Sequence, residues 1–171
     1  MSDPAFQLVV RIAGACLFFA AASHKLRDRA GFGAALAGYR LVPGWSVPVA
    51  AVLLGVAEIG LGFALLATPR AGAGAAGLLA LYACAVGVNL ARGRRHIDCG
   101  CGGSPQPLSG WLVARNLVLA AAFAACAAPS SARALAILDA VTIGAGVAAL
   151  ALLWAAIDVA IANGGRAWAT R

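Results

Sequence analysis

The chain has 171 residues, 63% of them apolar and only 11% charged, and its mean hydropathy is +0.90. A soluble domain sits nearer half apolar and a quarter charged, so this composition excludes most soluble enzymes, secreted disulfide scaffolds and disordered chains. The net charge of +7 comes from 13 Lys+Arg against 6 Asp+Glu, but the cations sit at the ends of apolar runs rather than on a basic face interleaved with aromatic groups, and no nucleic-acid partner is expected.

The first apolar run covers about residues 5–23. Asp3 precedes it and no Lys or Arg falls in the first ten residues, so it lacks the basic opening of a cleavable signal and reads as a retained span. Residues 24–46 follow. Phe32, Leu36 and Tyr39 fall on one side of a helix, with Arg29 and Arg40 elsewhere and Pro43-Gly44 closing it. That spacing predicts a short helix on the membrane surface, or simply a linker helix. Further apolar runs cover about 47–68, 71–90, 109–128 and 135–161, each long enough to cross a hydrocarbon core. Only Pro69 and Arg70 separate the second and third runs, which predicts an antiparallel hairpin. In lipid, backbone polar groups must be satisfied within the segment, so the runs are helices. The expected fold is an all-α polytopic bundle, a single membrane domain of about five transmembrane helices with a short interfacial helix after the first.

Gly72, Gly74 and Gly77 form a nominal G-x-G-x-x-G. No strand precedes it and no acidic residue follows at the right distance, so it is not a nucleotide-binding turn. These glycines, with Gly55, Gly60 and Gly62, are read as close helix-packing positions. Nine loop and tail cations (Lys25, Arg27, Arg29, Arg40, Arg92, Arg94, Arg95, Arg166 and Arg171) fall on one side of the membrane, against Arg70 and Arg133 on the other. The positive-inside rule then places the N-terminus outside and the 91–108 loop in the cytoplasm.

That loop carries the chemistry. Of the five cysteines, Cys16, Cys84 and Cys126 lie within apolar runs and read as small buried residues, whereas Cys99 and Cys101 stand one residue apart in a polar stretch. A disulfide between them requires the backbone to bend until their Cα atoms are within about 4.4–6.8 Å, and Gly100, Gly102 and Gly103 supply that freedom. Such a small, exposed ring is of the oxidising, exchangeable kind. Arg92, Arg94, Arg95 and His96 bring positive charge that favours the attacking thiolate, while Asp98 tempers it. Two alternatives remain open: a metal-handling loop using His96 with the two thiols, though C-x-C gives only half a tetrahedral site, and an inert exposed pair. No metal ligand set is assigned.

Glu58 stands mid-span in the second run, where an unpaired carboxylate is costly and therefore a functional candidate. Arg115-Asn116 in the fourth run and Arg11 in the first lie within reach, so a Glu58–Arg115 pair is expected. The cluster could relay protons or hold a quinone head group beneath the cysteine loop; it could equally be an ion pair that sets helix register, or a protonated Glu58. No other cofactor is evident.

The order His24-Lys25-Leu26, then Phe32, Leu36, Tyr39-Arg40-Leu41 and Pro43, then Glu58 and Gly62, then Asp98-Cys99-Gly100-Cys101-Gly102, then Arg115-Asn116, resembles the MauE family of methylamine utilization proteins, within the wider MauE/DoxX group. The resemblance runs from about Phe18 to about Leu119, and the D-C-G-C-G loop with its following R-N is its most specific part; the fifth span matches only in being apolar. It implies a multi-pass protein of the bacterial plasma membrane that takes part in maturing methylamine dehydrogenase. The client is that enzyme's disulfide-rich small subunit, matured in the periplasm, and the partner is a membrane-tethered thioredoxin-like protein. The thiol chemistry falls on Cys99 and Cys101, with Glu58, Arg115 and Asn116 as supporting positions. Quinone-linked disulfide oxidases use two cysteine pairs and this chain departs from them in showing one, which counts against a self-contained oxidase of that type unless a partner supplies the second. A non-catalytic assembly factor in the same pathway is the competing reading.

Overall fold

The computed structural model describes residues 3–100, 106–129 and 133–169, with backbone alone at 158 and 161–169. Six α-helices follow in chain order: α1 (Pro4–Arg27), α2 (Arg29–Tyr39), α3 (Val47–Ala67), α4 (Ala71–Ala91), α5 (Gly110–Cys126) and α6 (Ile137–Ala169). A 3-10 turn, Gly44–Ser46, leads into α3. Among the described residues there is no strand, only an isolated bridge between Asp98 and Pro107. The architecture is the all-α polytopic bundle expected from composition.

Local chemistry sets the helix ends. Asp3 caps α1 by accepting from the Ala5 N–H at 2.8 Å, with Pro4 in the first turn. The helix runs on to Arg27, past the expected end of the first apolar run, and this carries Lys25 into the span. Asp28 alone separates α1 from α2 and caps the latter through the Gly31 N–H at 2.8 Å. Among the described residues, four helical segments are long and apolar enough to cross a membrane: Pro4–Arg27, Gly44–Ala67, Ala71–Ala91 and Ile137–Ile157. The fourth apolar run forms α5, which has 17 residues and at 1.5 Å per residue reaches about 26 Å, a little short of a typical hydrocarbon core.

The core joins α1, α3, α4 and α5, with α1 packed on α3 and α4 on α5. Phe18, Leu65, Leu79 and Phe123 are its large members, and the Phe18 and Phe123 rings lie 6.0 Å apart. Helix α6 packs chiefly on α1 and leaves Ile137, Leu138 and Leu152 outside, as a lipid-facing helix would. Outside the spans, Arg133 binds both Asp3 and Asp139 and ties the start of α1 to the start of α6. The guanidinium beside it holds the Asp3 carboxyl below its ordinary pKa.

Two buried cations are handled differently. Arg11 donates from Nε to the Leu65 carbonyl at 2.6 Å and from Nη2 to the Leu66 carbonyl at 2.8 Å. It therefore serves carbonyls in the last turn of α3. Lys25 belongs to the candidate site below.

The packing role holds for some of the glycines. A Cβ on Gly62 would sit 2.6 Å from the Phe19 ring, and one on Gly72 would strike the Phe123 carbonyl oxygen; at Gly55, Gly60 and Gly77 there is open space. Gly72→Ala is therefore expected to lose about 1–3 kcal/mol, because backbone of α5 must move. Gly77→Ala should be neutral or slightly stabilising. Denaturant unfolding in detergent checks both, and equal stability of the two variants would refute the close α4–α5 contact.

The cysteines within the spans depart from expectation. Cys126 is buried and donates its thiol to the Gln7 carbonyl at 3.4 Å, but Cys16 and Cys84 are exposed. Each follows a core residue, Ala15 or Ala83, and one step along a helix turns a side chain by about 100°. Their apolar neighbourhood in sequence reflects lipid rather than core.

Candidate functional site

The cysteine loop is held against α2. Tyr39 Oη donates to the Cys99 carbonyl at 3.1 Å, and Tyr39 packs in a small core with Val86, Leu108 and Leu112, with Cys99 at its edge. Gly100 has φ +67° and faces Phe32 and Ala35. A side chain in that backbone conformation would be strained. Asp98 braces the turn from inside: its carboxylate accepts from the Gly100 N–H at 3.3 Å and the Gln106 N–H at 3.1 Å, while the Cys99 N–H donates to the Gln106 carbonyl at 2.9 Å. Arg94 Nη1 reaches the Tyr39 carbonyl and Asn89 Oδ1, each at 3.4 Å. The interfacial helix is thus more than a linker, because it is the platform on which the loop rests. His96 is exposed, and Cys101 lies outside the described residues.

Beneath the loop is a cavity of about 400 Å³, bounded by α1, α2, α3, α4, α5 and one residue of α6, with Cys99 and Gly100 in its lining. Its walls are mainly apolar. At its polar end Glu58, only 1% exposed, accepts at Oε1 from Lys25 Nζ at 2.6 Å and from Tyr82 Oη at 2.8 Å. Lys25 is itself 7% exposed, and its ammonium lies 5.1 Å from the centre of the Phe32 ring and 5.8 Å from that of Tyr82. A helical side chain leans towards the N-terminus of its helix, so Lys25, near the end of α1, points back into the bundle. Pairing and hydrogen bonding let two charges persist at this depth.

The expected Glu58–Arg115 ion pair is replaced by Glu58–Lys25. Arg115 borders the same cavity but stacks over the Trp154 ring at 4.9 Å. On α5 the buried face is Leu112, Asn116, Ala120 and Phe123. Arg115, one position before Asn116, falls at the edge of that stripe and meets α6. Asn116 lines the cavity while its Nδ2 donates to the Leu112 carbonyl at 2.9 Å. Among the described residues, two buried side-chain polar atoms have no hydrogen-bond partner, Glu58 Oε2 and Arg115 Nε.

Of the residues singled out from sequence, Cys99, Glu58, Arg115 and Asn116 meet at this cavity. Asp98 is a turn brace beside it. Lys25 and Tyr39 were noted in the sequence but not as members of the site, and Tyr82 and Trp154 were not singled out at all. Lys25 looked like a loop cation because the apolar run ends before it, and the signal that could have found it was the need of Glu58 for a partner on a neighbouring helix. The described residues contain no group of three His, Cys, Asp or Glu placed to hold a metal ion.

Comparisons with known proteins identify the family. A family profile described as "Methylamine utilisation protein MauE" matches residues 3–129. The chain is 41% identical over 124 residues to the methylamine utilization protein MauE of Paracoccus denitrificans, covering 70% of this chain and 67% of that one. It is 34% identical over 168 residues to MauE of Methylophilus methylotrophus, covering 94% and 88%, and 35% identical over 127 residues to MauE of Methylorubrum extorquens, covering 71% and 68%. No solved structure matches it significantly. The matched segment contains α1 to α5 and therefore all of the cavity except Trp154, and the chain belongs to the MauE family.

Proposed function

We propose that this protein serves methylamine utilization as the membrane component of a thiol–disulfide exchange system, supporting disulfide formation or isomerisation in the small subunit of methylamine dehydrogenase together with a thioredoxin-like partner. The observation that carries this reading is the position of Cys99, held by Tyr39 and the Asp98 turn over a buried Lys25–Glu58–Tyr82 cluster. Loop and cluster both fall within the segment that defines the family.

We place the mixed disulfide at Cys101, which glycines flank on both sides in the sequence. In the oxidising direction a client thiolate attacks Cys101 Sγ and the Cys99 thiolate leaves. A second client thiolate then displaces Cys101. The client gains a disulfide, and Cys99 and Cys101 are left as a dithiol. The cationic stretch Arg92–His96 favours the leaving thiolate.

Alkylation with a membrane-impermeant maleimide tests this, with the Cys99→Ser/Cys101→Ser double variant as the background control. Labelling of Cys99 and Cys101 that requires prior reduction supports a stored disulfide; full labelling without reduction overturns it. Sidedness follows from the same experiment. The cation count points to the cytoplasm, and direct contact with a periplasmic client requires the opposite face. Labelling from outside intact cells supports direct exchange with the client, whereas labelling only in inverted vesicles overturns it and requires electrons to cross the membrane.

A further inference from the structure

We propose that the cavity beneath the cysteine loop binds the ring of a lipid-soluble quinone, which takes up the electrons of the Cys99–Cys101 pair. This rests on the thiol-exchange reading, since the pair must cycle between dithiol and disulfide.

The cavity is shaped for an amphiphile with a small polar ring. Its volume falls within the range of small-molecule sites. Leu41, Leu53 and Leu81 contribute to its lining and are also exposed on the outer surface of the bundle, so the opening faces lipid and an isoprenoid tail can remain there. The polar end offers one unsatisfied donor, Arg115 Nε, and one unsatisfied acceptor, Glu58 Oε2. Buried groups of this kind call for a partner. A ring oxygen accepts from Arg115 in either redox form, and the hydroxyl of the reduced ring also donates to Glu58, so the quinol satisfies both orphan atoms and the quinone satisfies Arg115. A phosphate head group offers only acceptors, and Glu58 would repel it.

Cys16, Cys84 and Cys126 do not line the cavity, and as free thiols they are not electron acceptors. Closing the Cys99–Cys101 disulfide releases two electrons and two protons, which reduce the two ring carbonyls to hydroxyls. Glu58, with Lys25 and Tyr82 on its other oxygen, is the positioned group that orients the ring.

The test uses the purified full chain in detergent, with decylubiquinone as the probe and quenching of Trp154 fluorescence as the readout; Trp154→Phe identifies the signal. Saturable quenching is expected, weakened roughly tenfold or more by Arg115→Leu and by Ala50→Phe, which fills the cavity away from the polar cluster. Unsaturable quenching, indifference to Ala50→Phe, or displacement by excess phosphatidylglycerol would overturn the proposal. The prereduced protein should form one quinol per disulfide closed, with none formed by the double serine variant, and binding without quinol formation would overturn the electron-transfer step. Quinone binding and reduction that persist while client maturation ignores both serine substitutions would instead refute the exchange with the client.

Discussion

Lys25→Met is expected to cost about 3–5 kcal/mol of stability, the loss typical of a buried ion pair stripped of one partner. Glu58 is 1% exposed, and among the described residues Lys25 alone forms a salt bridge with it, at Oε1. Without it the carboxylate must be carried bare in the bundle or protonated, and either is costly. The double variant Lys25→Met/Glu58→Gln should recover most of the loss, because no charge remains and the amide oxygen still accepts from Tyr82. Denaturant unfolding in micelles of the two single variants and the double variant measures the coupling. If the double variant is as unstable as the sum of the singles, the pair is not what holds α1 to α3 at this end.

The second large effect is chemical. Replacing either Cys99 or Cys101 with serine should lower disulfide formation in the client by about two orders of magnitude or more, because a hydroxyl cannot serve as the exchanging or resolving group. Folding of the membrane protein should be unchanged, as judged by its melting curve. Tyr39→Phe, which removes the hydrogen bond to the Cys99 carbonyl, should slow the reaction a few-fold while leaving the thiols reactive. A non-catalytic assembly factor gives the opposite pattern: harmless serine variants, and loss of client maturation when the Phe32–Tyr39 face is altered. Counting client disulfides by mass after alkylation separates the two.

How much was legible beforehand differed by element. The runs around α3 and α4 and the turn at Pro69-Arg70 appear almost where the hydropathy placed them, since a span in lipid advertises itself by length and by the absence of charge. The interfacial helix was legible from Phe32, Leu36 and Tyr39, but its use was not. Nothing in a 3.6-residue spacing says that the apolar face would support a cysteine loop sixty residues further on rather than a lipid surface. Apolar periodicity also misjudged Cys16 and Cys84, because a lipid-facing position and a core position share one composition.

Composition and motif spacing by themselves determined that this chain is a polytopic helical membrane protein with one close thiol pair, and the ordered residues from His24 to Asn116 were enough for the family. Burial cost falls on each residue individually, so hydropathy and the odd carboxylate at Glu58 can be read one position at a time. Only the tertiary structure decided that Glu58 pairs with Lys25 while Arg115 turns to Trp154, and that both border the cavity under Cys99. Those choices depend on how far α1 extends, how each helix is rotated and which way a long side chain leans. Such quantities are set by packing between helices, and no single segment contains them.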